Sequence, residues 1–208
     1  MAVSRHSLIA PEGWRYIGLL FVASIITQFF LHSWAVILWA LLFFSLYFFR
    51  DPLRKSPAAP LAIVSPVHGI ITQVSIKQDL YLNREANFIS ITMPFYTIFS
   101  VRSITEGKVM DQWQQTQDEN NKTCPCFAVW IQTDELDDVV LVLRPGRWIR
   151  RITSKFITGE RVGQGHRMGY ILFGAVVDVF ISESASIEVE KGSKVIAGTD
   201  ILAQLVHN

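Results

Sequence analysis

From Tyr16 to Phe49 the chain runs for 34 residues, YIGLLFVASIITQFFLHSWAVILWALLFFSLYFF, without one Asp, Glu, Lys or Arg. A helix on the surface of a soluble domain needs a polar face, and this stretch has none. As one straight helix it would be about 51 Å long at 1.5 Å per residue. That exceeds a hydrocarbon core of about 30 Å by more than tilt absorbs. His32 and Ser33 sit near the middle, where a helical hairpin would turn. Each half is then about 16 residues, or about 24 Å, short for a full span. Arg15 precedes the segment and Arg50, Arg54 and Lys55 follow it. By the positive-inside rule both ends face the cytoplasm. A membrane hairpin over about residues 16–49 satisfies these constraints, either as a shallow hairpin or as two short spans. A buried pair of core helices is the alternative, disfavoured by the apolarity all round. The length of the apolar part and the lack of a small-residue cleavage site after it argue against a signal peptide. Trp14, Trp34 and Trp39 suit a membrane–water interface.

The remaining residues, 51–208, suffice for one domain with a real core. After Pro52 the hydrophobic period changes. Ala62–Val64, Phe88–Met93, Tyr96–Val101, Phe127–Gln132 and Val139–Leu143 are short, rich in Val, Ile, Phe and Thr, and separated by Gly, Pro, Asn and Asp. That composition predicts strands; Arg147–Phe156 is ambiguous. The expected organisation is an N-terminal segment, 1–50, carrying the hairpin, and a mainly β domain, 51–208.

Charge and side-chain chemistry exclude several functions. Nineteen basic residues against 18 acidic ones give no basic excess for a nucleic-acid partner. Cys124 and Cys126 flank Pro125, a spacing that strains a disulfide. They lack the second Cys or His pair of a zinc site and read as free loop thiols in a reducing compartment. The histidines, His6, His32, His68, His166 and His207, show no i, i+4 pair and no metal-ligand spacing.

An internal repeat refines the fold. Gly159–Met168 (GERVGQGHRM) and Gly192–Ile201 (GSKVIAGTDI) share the pattern Gly-x-basic-Val-x-x-Gly-x-x-apolar at an offset of 33 residues. Each copy reads as a glycine turn, a strand entry, a second glycine turn and a strand, with both glycines at positive φ. Paired turns of this kind build small barrels and barrel-sandwich folds. No lysine sits at a hairpin tip as a biotin or lipoyl carrier requires.

Six segments in order then carry a resemblance: IAPEGW (Ile9–Trp14), FFRDPLRKSP (Phe48–Pro57), VSPVHG (Val64–Gly69), ISITMPFYTIFSVRSITEGKV (Ile89–Val109), WIRRI (Trp148–Ile152) and RMGYILFGAVVDVFI (Arg167–Ile181). Together they resemble the short, membrane-anchored bacterial phosphatidylserine decarboxylases over nearly the whole chain. The resemblance implies a barrel-sandwich-like β domain preceded by a membrane anchor. It also implies self-made chemistry: a Ser hydroxyl cleaves the Gly–Ser bond before it and becomes a pyruvoyl group. That group is the electron sink for loss of CO2 from phosphatidylserine, the role a cofactor normally fills. An acid and a His assist the cleavage as in a Ser-His-Asp triad.

The three roles fall on altered residues. The family's V-S-P-x-D-G places its acid at His68. Its D-V-H-x-N-R-S places the His at Phe99. Its F-G-S-x-V-D places the nucleophile at Ala175, after Gly174. Alanine has no oxygen with which to attack the amide, and phenylalanine accepts no proton. Gly192-Ser193 is the remaining Gly-Ser pair, and it reads as a turn; cleavage there would leave 16 residues against 34 from Ala175 onward. The expectation is a degenerate member with no intact catalytic residue, no pyruvoyl group and no metal.

Non-catalytic work remains. Arg102, Arg150 and Arg151 either hold lipid phosphate or carboxylate, which guanidinium forks fit, or are solvated or paired charges. Phe95 and Tyr96 either face the membrane or join the core. The partners expected are a membrane phospholipid, phosphatidylserine or phosphatidylethanolamine, and a membrane protein or a second copy of the chain. The place expected is the inner membrane, with the β domain in the cytoplasm. Two other readings stay open: an active decarboxylase with altered chemistry or an engineered, uncleaved precursor, and a membrane scaffold.

Overall fold

The structure is a computed structural model that describes residues 13–30, 35–50, 57, 59, 61–114, 126–146 and 152–206. The chain divides into two compact units, Met1–Leu53 and Arg54–Asn208.

The first unit contains two helices, α1 (Trp14–Phe30) and α2 (Ala35–Phe48). Tyr16 stacks on Phe49 at 6.1 Å and Phe21 meets Trp39 edge-on at 6.1 Å, so the helices run antiparallel. The Ser24 hydroxyl donates to Leu20 O at 2.7 Å, which hides the polar atom inside the helix. Leu19, Phe29, Phe30, Val36 and Phe43 project outward and are exposed. With 17 and 14 residues, the helices are about 26 and 21 Å long. Among the described residues no helix is long and apolar enough to cross a membrane. The expectation of transmembrane spans is therefore unsupported among the described residues. The expected turn at His32 and Ser33 lies outside the described residues.

The second unit is mainly β. An eight-stranded sheet curls into a half-barrel. Its members are β2 (Gly69–Asp79), β3 (Arg84–Met93), β5 (Gly107–Gln114), β6 (Phe127–Gln132), β7 (Asp138–Pro145), β9 (Arg161–Val162), β11 (Ala175–Ile181) and β13 (Lys194–Val195). Their order is β13-β2-β3-β11-β7-β6-β5-β9. Two three-stranded sheets accompany it. One joins β1 (Ala62–Val64), β14 (Ile201–Gln204) and β12 (Ser186–Ile187); the other joins β4 (Ser100–Arg102), β10 (Arg167–Ile171) and β8 (Ile152–Ser154).

Register decides what the large sheet buries. Ile89, Ile91, Leu141, Leu143, Val177, Val179, Val129 and Ile131 share one face and are fully buried as the main core. The opposite face carries Phe88, Phe180, Val140, Val142 and Ala128. There Tyr81, Leu82, Trp113 and Trp130 pack over a second, smaller core.

The repeat is where the sequence placed it. Gly159, Gly165, Gly192 and Gly198 all have positive φ, between 69° and 94°. The two copies make matching backbone bonds. Gly159 N–H donates to Val109 O and Gly192 N–H to Ile71 O, both at 2.8 Å. Gly165 N–H donates to Ser103 O at 2.9 Å and Gly198 N–H to Ser65 O at 2.7 Å. Val64 N–H donates to Ile104 O and Arg102 N–H to Pro66 O in the same way, both at 2.8 Å. The Val64–Ile71 and Arg102–Val109 segments are thus a second pair of equivalents, and the domain has pseudo-two-fold order.

The expected strand at Tyr96–Val101 forms only from Ser100. Pro94 is the reason: Thr97 turns back and donates to its carbonyl from both N–H, at 3.3 Å, and hydroxyl, at 2.9 Å. Cys126 is a free thiol on the loop residue that enters β6, and it is buried; Cys124 lies outside the described residues.

Candidate functional site

β11 lies between β3 and β7, and its first residue, Ala175, is opposite both Met93 and Pro145. The chain reaches it from β10, which belongs to another sheet, through Leu172–Gly174. Phe173 and Gly174 make that crossing with φ of 58° and 88°. A left-handed non-glycine residue beside a left-handed glycine is an over-determined corner and costs free energy locally. Packing explains why it persists. A β-carbon on Gly174 would stand 3.0 Å from Met93 O. The Gly174 carbonyl accepts the Gly146 N–H at 3.0 Å.

Phe99 stands beside this corner. It is 1% exposed, its carbonyl accepts Ile171 N–H at 2.9 Å, and its ring lies 5.8 Å from Tyr170 and 5.7 Å from Phe173. Phe99, the position predicted for the family's His, thus packs against Phe173, two residues before Ala175. Its ring completes an aromatic cluster. Ala175 is 5% exposed, its methyl on the core face of β11. His68 is half-buried on the loop after β1, where its Nδ1 accepts the Ala197 N–H at 3.3 Å. Its described bond ties it to the second glycine turn.

The residues predicted to touch lipid separate. Phe95 and Tyr96 are 63% and 59% exposed and pack edge to face at 5.3 Å. Arg102 is buried; its Nη1 donates to Gly165 O at 3.0 Å and its stem presses on Gly198. Arg102 therefore clasps two of the repeat's glycine corners. Arg150 and Arg151 lie outside the described residues.

A cavity of about 1080 Å³ opens at this end of the sheet. Its described lining includes Met93, Phe95, Pro145, Phe173, Gly174 and Ala175. Among the described lining residues, Thr92 supplies the hydroxyl, but Thr92 is opposite Val176, on the other face of the sheet from the Ala175 methyl. Arg144 brings a charge to the wall and pairs with the buried Asp178. Asp178 Oδ1 has no hydrogen-bond partner among the described residues. Sequence reasoning missed Arg144 and Gly146. The Pro145-Gly146 step after an apolar strand was the available signal, since it marks a strand end. Among the described residues no group of three or more His, Cys, Asp and Glu is placed to hold a metal.

The fold and the corner before β11 define a mainly β protein with an apolar cavity at one end of its large sheet. The phosphatidylserine decarboxylase family profile matches residues 91–203. A phosphatidylserine decarboxylase proenzyme from Nitrosomonas eutropha is 37% identical, with 96% of each chain covered. Proenzymes from Nitrosomonas europaea and Cupriavidus metallidurans are each 35% identical, again over 96% of both chains. No solved structure matches the chain significantly. The chain belongs to the phosphatidylserine decarboxylase family.

Proposed function

We infer that this chain is a non-catalytic member of its family, one that binds phospholipid at the membrane surface without cleaving itself or releasing CO2. A single observation carries the reading. The residue that follows the left-handed Gly174 is Ala175, whose methyl holds no oxygen. A pyruvoyl group at position 175 requires a Ser hydroxyl to attack the preceding carbonyl, so the residue present does not fit that group. Phe99, the neighbour that would take the proton, has no basic atom, and its ring is fully used in packing.

The rest of the site supports binding. An apolar cavity flanked by the exposed Phe95 and Tyr96 suits an amphiphile better than a small polar solute. The apolar α1–α2 hairpin suits a shallow seat in one leaflet. The flanking Arg15, Arg50, Arg54 and Lys55 favour the cytoplasmic side of the inner membrane. The ligand fitting this reading is an aminophospholipid, phosphatidylserine or phosphatidylethanolamine.

Vesicles of phosphatidylserine labelled at the serine carboxyl carbon test both halves with the full-length chain. The expected result is no labelled CO2 above buffer, with co-sedimentation stronger on phosphatidylserine than on phosphatidylglycerol. Phe95→Ser with Tyr96→Ser weakens the binding. Steady CO2 release would refute the reading, and equal binding to both lipids would refute its ligand.

A further inference from the structure

Arg144 is directly opposite Val176 across β7 and β11, so its side chain stands on the face of the sheet that also carries Thr92. Asp178 is two residues further along β11, on that same face. The two are diagonal neighbours, a spacing that a long side chain bridges, and they form an ion pair. Asp178 is almost fully buried, and its second oxygen has no hydrogen-bond partner among the described residues. Arg144 is partly exposed and lines the cavity, where it is the one described lining residue that carries a charge. Stability alone does not account for such a pair. Two apolar side chains of similar volume would hold a sheet as well or better, because the cost of desolvating both charges offsets their attraction. What the pair supplies is a guanidinium held in a fixed direction at an apolar wall. A guanidinium presents five N–H donors, more than one carboxylate takes, and its fork matches phosphate oxygens.

We propose that Arg144 takes the phosphodiester of the lipid bound in this cavity, with Asp178 as the residue that positions it. The assignment rests on the lipid-binding reading above and adds to it the charge class of the headgroup. Asp178 leaves the pair without net charge, in a wall that offers no second cation among the described lining residues. A phosphodiester brings one negative charge to that wall. A phosphomonoester, which loses its second proton at about pH 6, brings nearly two and meets the Asp178 carboxylate behind the guanidinium. Repulsion and the apolar surroundings both penalise the second charge. The site therefore selects diester lipids over phosphatidic acid and over inorganic phosphate. The apolar lining, Met93, Phe95, Pro145 and Phe173, is left for the glycerol and the chains.

Titration of the full-length chain in maltoside micelles gives the test, with dihexanoyl phosphatidylserine, dihexanoyl phosphatidic acid, dihexanoylglycerol and inorganic phosphate as probes. Near neutral pH the wild type is expected to bind the phosphatidylserine about tenfold tighter than the phosphatidic acid or inorganic phosphate, the scale of one charge-assisted hydrogen bond. Arg144→Gln with Asp178→Asn removes both charges together. It is expected to weaken phosphatidylserine by about the same factor and to leave dihexanoylglycerol unchanged. A merely structural pair would lower both affinities in parallel, so a parallel loss overturns the proposal, as does an unchanged affinity for phosphatidylserine. Asp178→Asn alone is expected to erase the preference against phosphatidic acid; a preference that survives it removes Asp178 from the assignment and overturns the charge argument. Inorganic phosphate bound as tightly as phosphatidylserine would make this a site for the free anion and overturn the lipid assignment. A wild type that binds none of the three lipids overturns the lipid-binding reading itself, whereas lipid binding that ignores Arg144 overturns only this inference.

Discussion

Gly146 and Gly174 meet backbone to backbone: the Gly146 N–H donates to the Gly174 carbonyl at 3.0 Å, and a β-carbon on Gly146 would lie 2.9 Å from that same oxygen. The contact ties the end of β7 to the corner before β11.

Gly174→Ala is expected to cost about 1–3 kcal/mol, because an L-residue at this φ is strained and its methyl would press on Met93 O. Thermal unfolding followed by near-ultraviolet circular dichroism measures it. A variant as stable as the wild type would show that the corner relaxes freely.

Ala175→Ser restores the hydroxyl alone. The chain is expected to remain intact over hours, because Phe99, the family's proton-accepting position, has no basic atom. Gel analysis after incubation reads the outcome. Efficient cleavage from this one change would mean that the site is an enzyme lacking only its nucleophile.

Arg144→Met strips the buried Asp178 of its partner. The expected loss is about 3 kcal/mol, at the low end of the range for breaking buried pairs because the Arg144 side chain is 31% exposed. Adding Asp178→Asn should recover much of it, which denaturant unfolding of the single and double variants would reveal.

Asp79 gives a pH dependence. Burial raises its carboxyl above the usual carboxylate range, against the smaller opposing pull of the Tyr81 N–H and Arg84. A raised native value means that the folded state holds the proton more tightly than the unfolded chain. Its contribution to stability is therefore full below the unfolded value and is lost as pH rises through the native one. Asp79→Asn keeps an acceptor for Tyr81 and removes the titration. The melting temperature of the variant relative to the wild type should be more favourable at pH 7 than at pH 4. An offset independent of pH would contradict this.

Much of the β domain was legible because its signals are local. Ala62–Val64 and Phe127–Gln132 match β1 and β6 residue for residue, and the four repeat glycines take the positive φ their spacing implied. Tyr96–Val101 misled because β-propensity ignores the turn that Pro94 starts. The Val64–Ile71 and Arg102–Val109 equivalence was hidden because the two segments share little beyond Ser65/Ser103 and Gly69/Gly107, although both serine hydroxyls donate to the carbonyl two residues on. At the candidate site, Phe99 packs on Phe173 in the corner that leads into Ala175, a contact that spacing along the chain does not reveal. Spacing gave no sign that Arg102 turns inward to hold glycine corners, since a buried and a lipid-facing arginine look alike in sequence. Gly146 and Arg144 are separated from the motif by some thirty residues and meet it only through the register of β7 on β11.

Intact mass of the purified full-length chain tests the central claim most directly. The account predicts one species, the uncleaved chain of 208 residues. A pair of fragments divided between Gly174 and Ala175, the second carrying a pyruvoyl-type N-terminus, would contradict it.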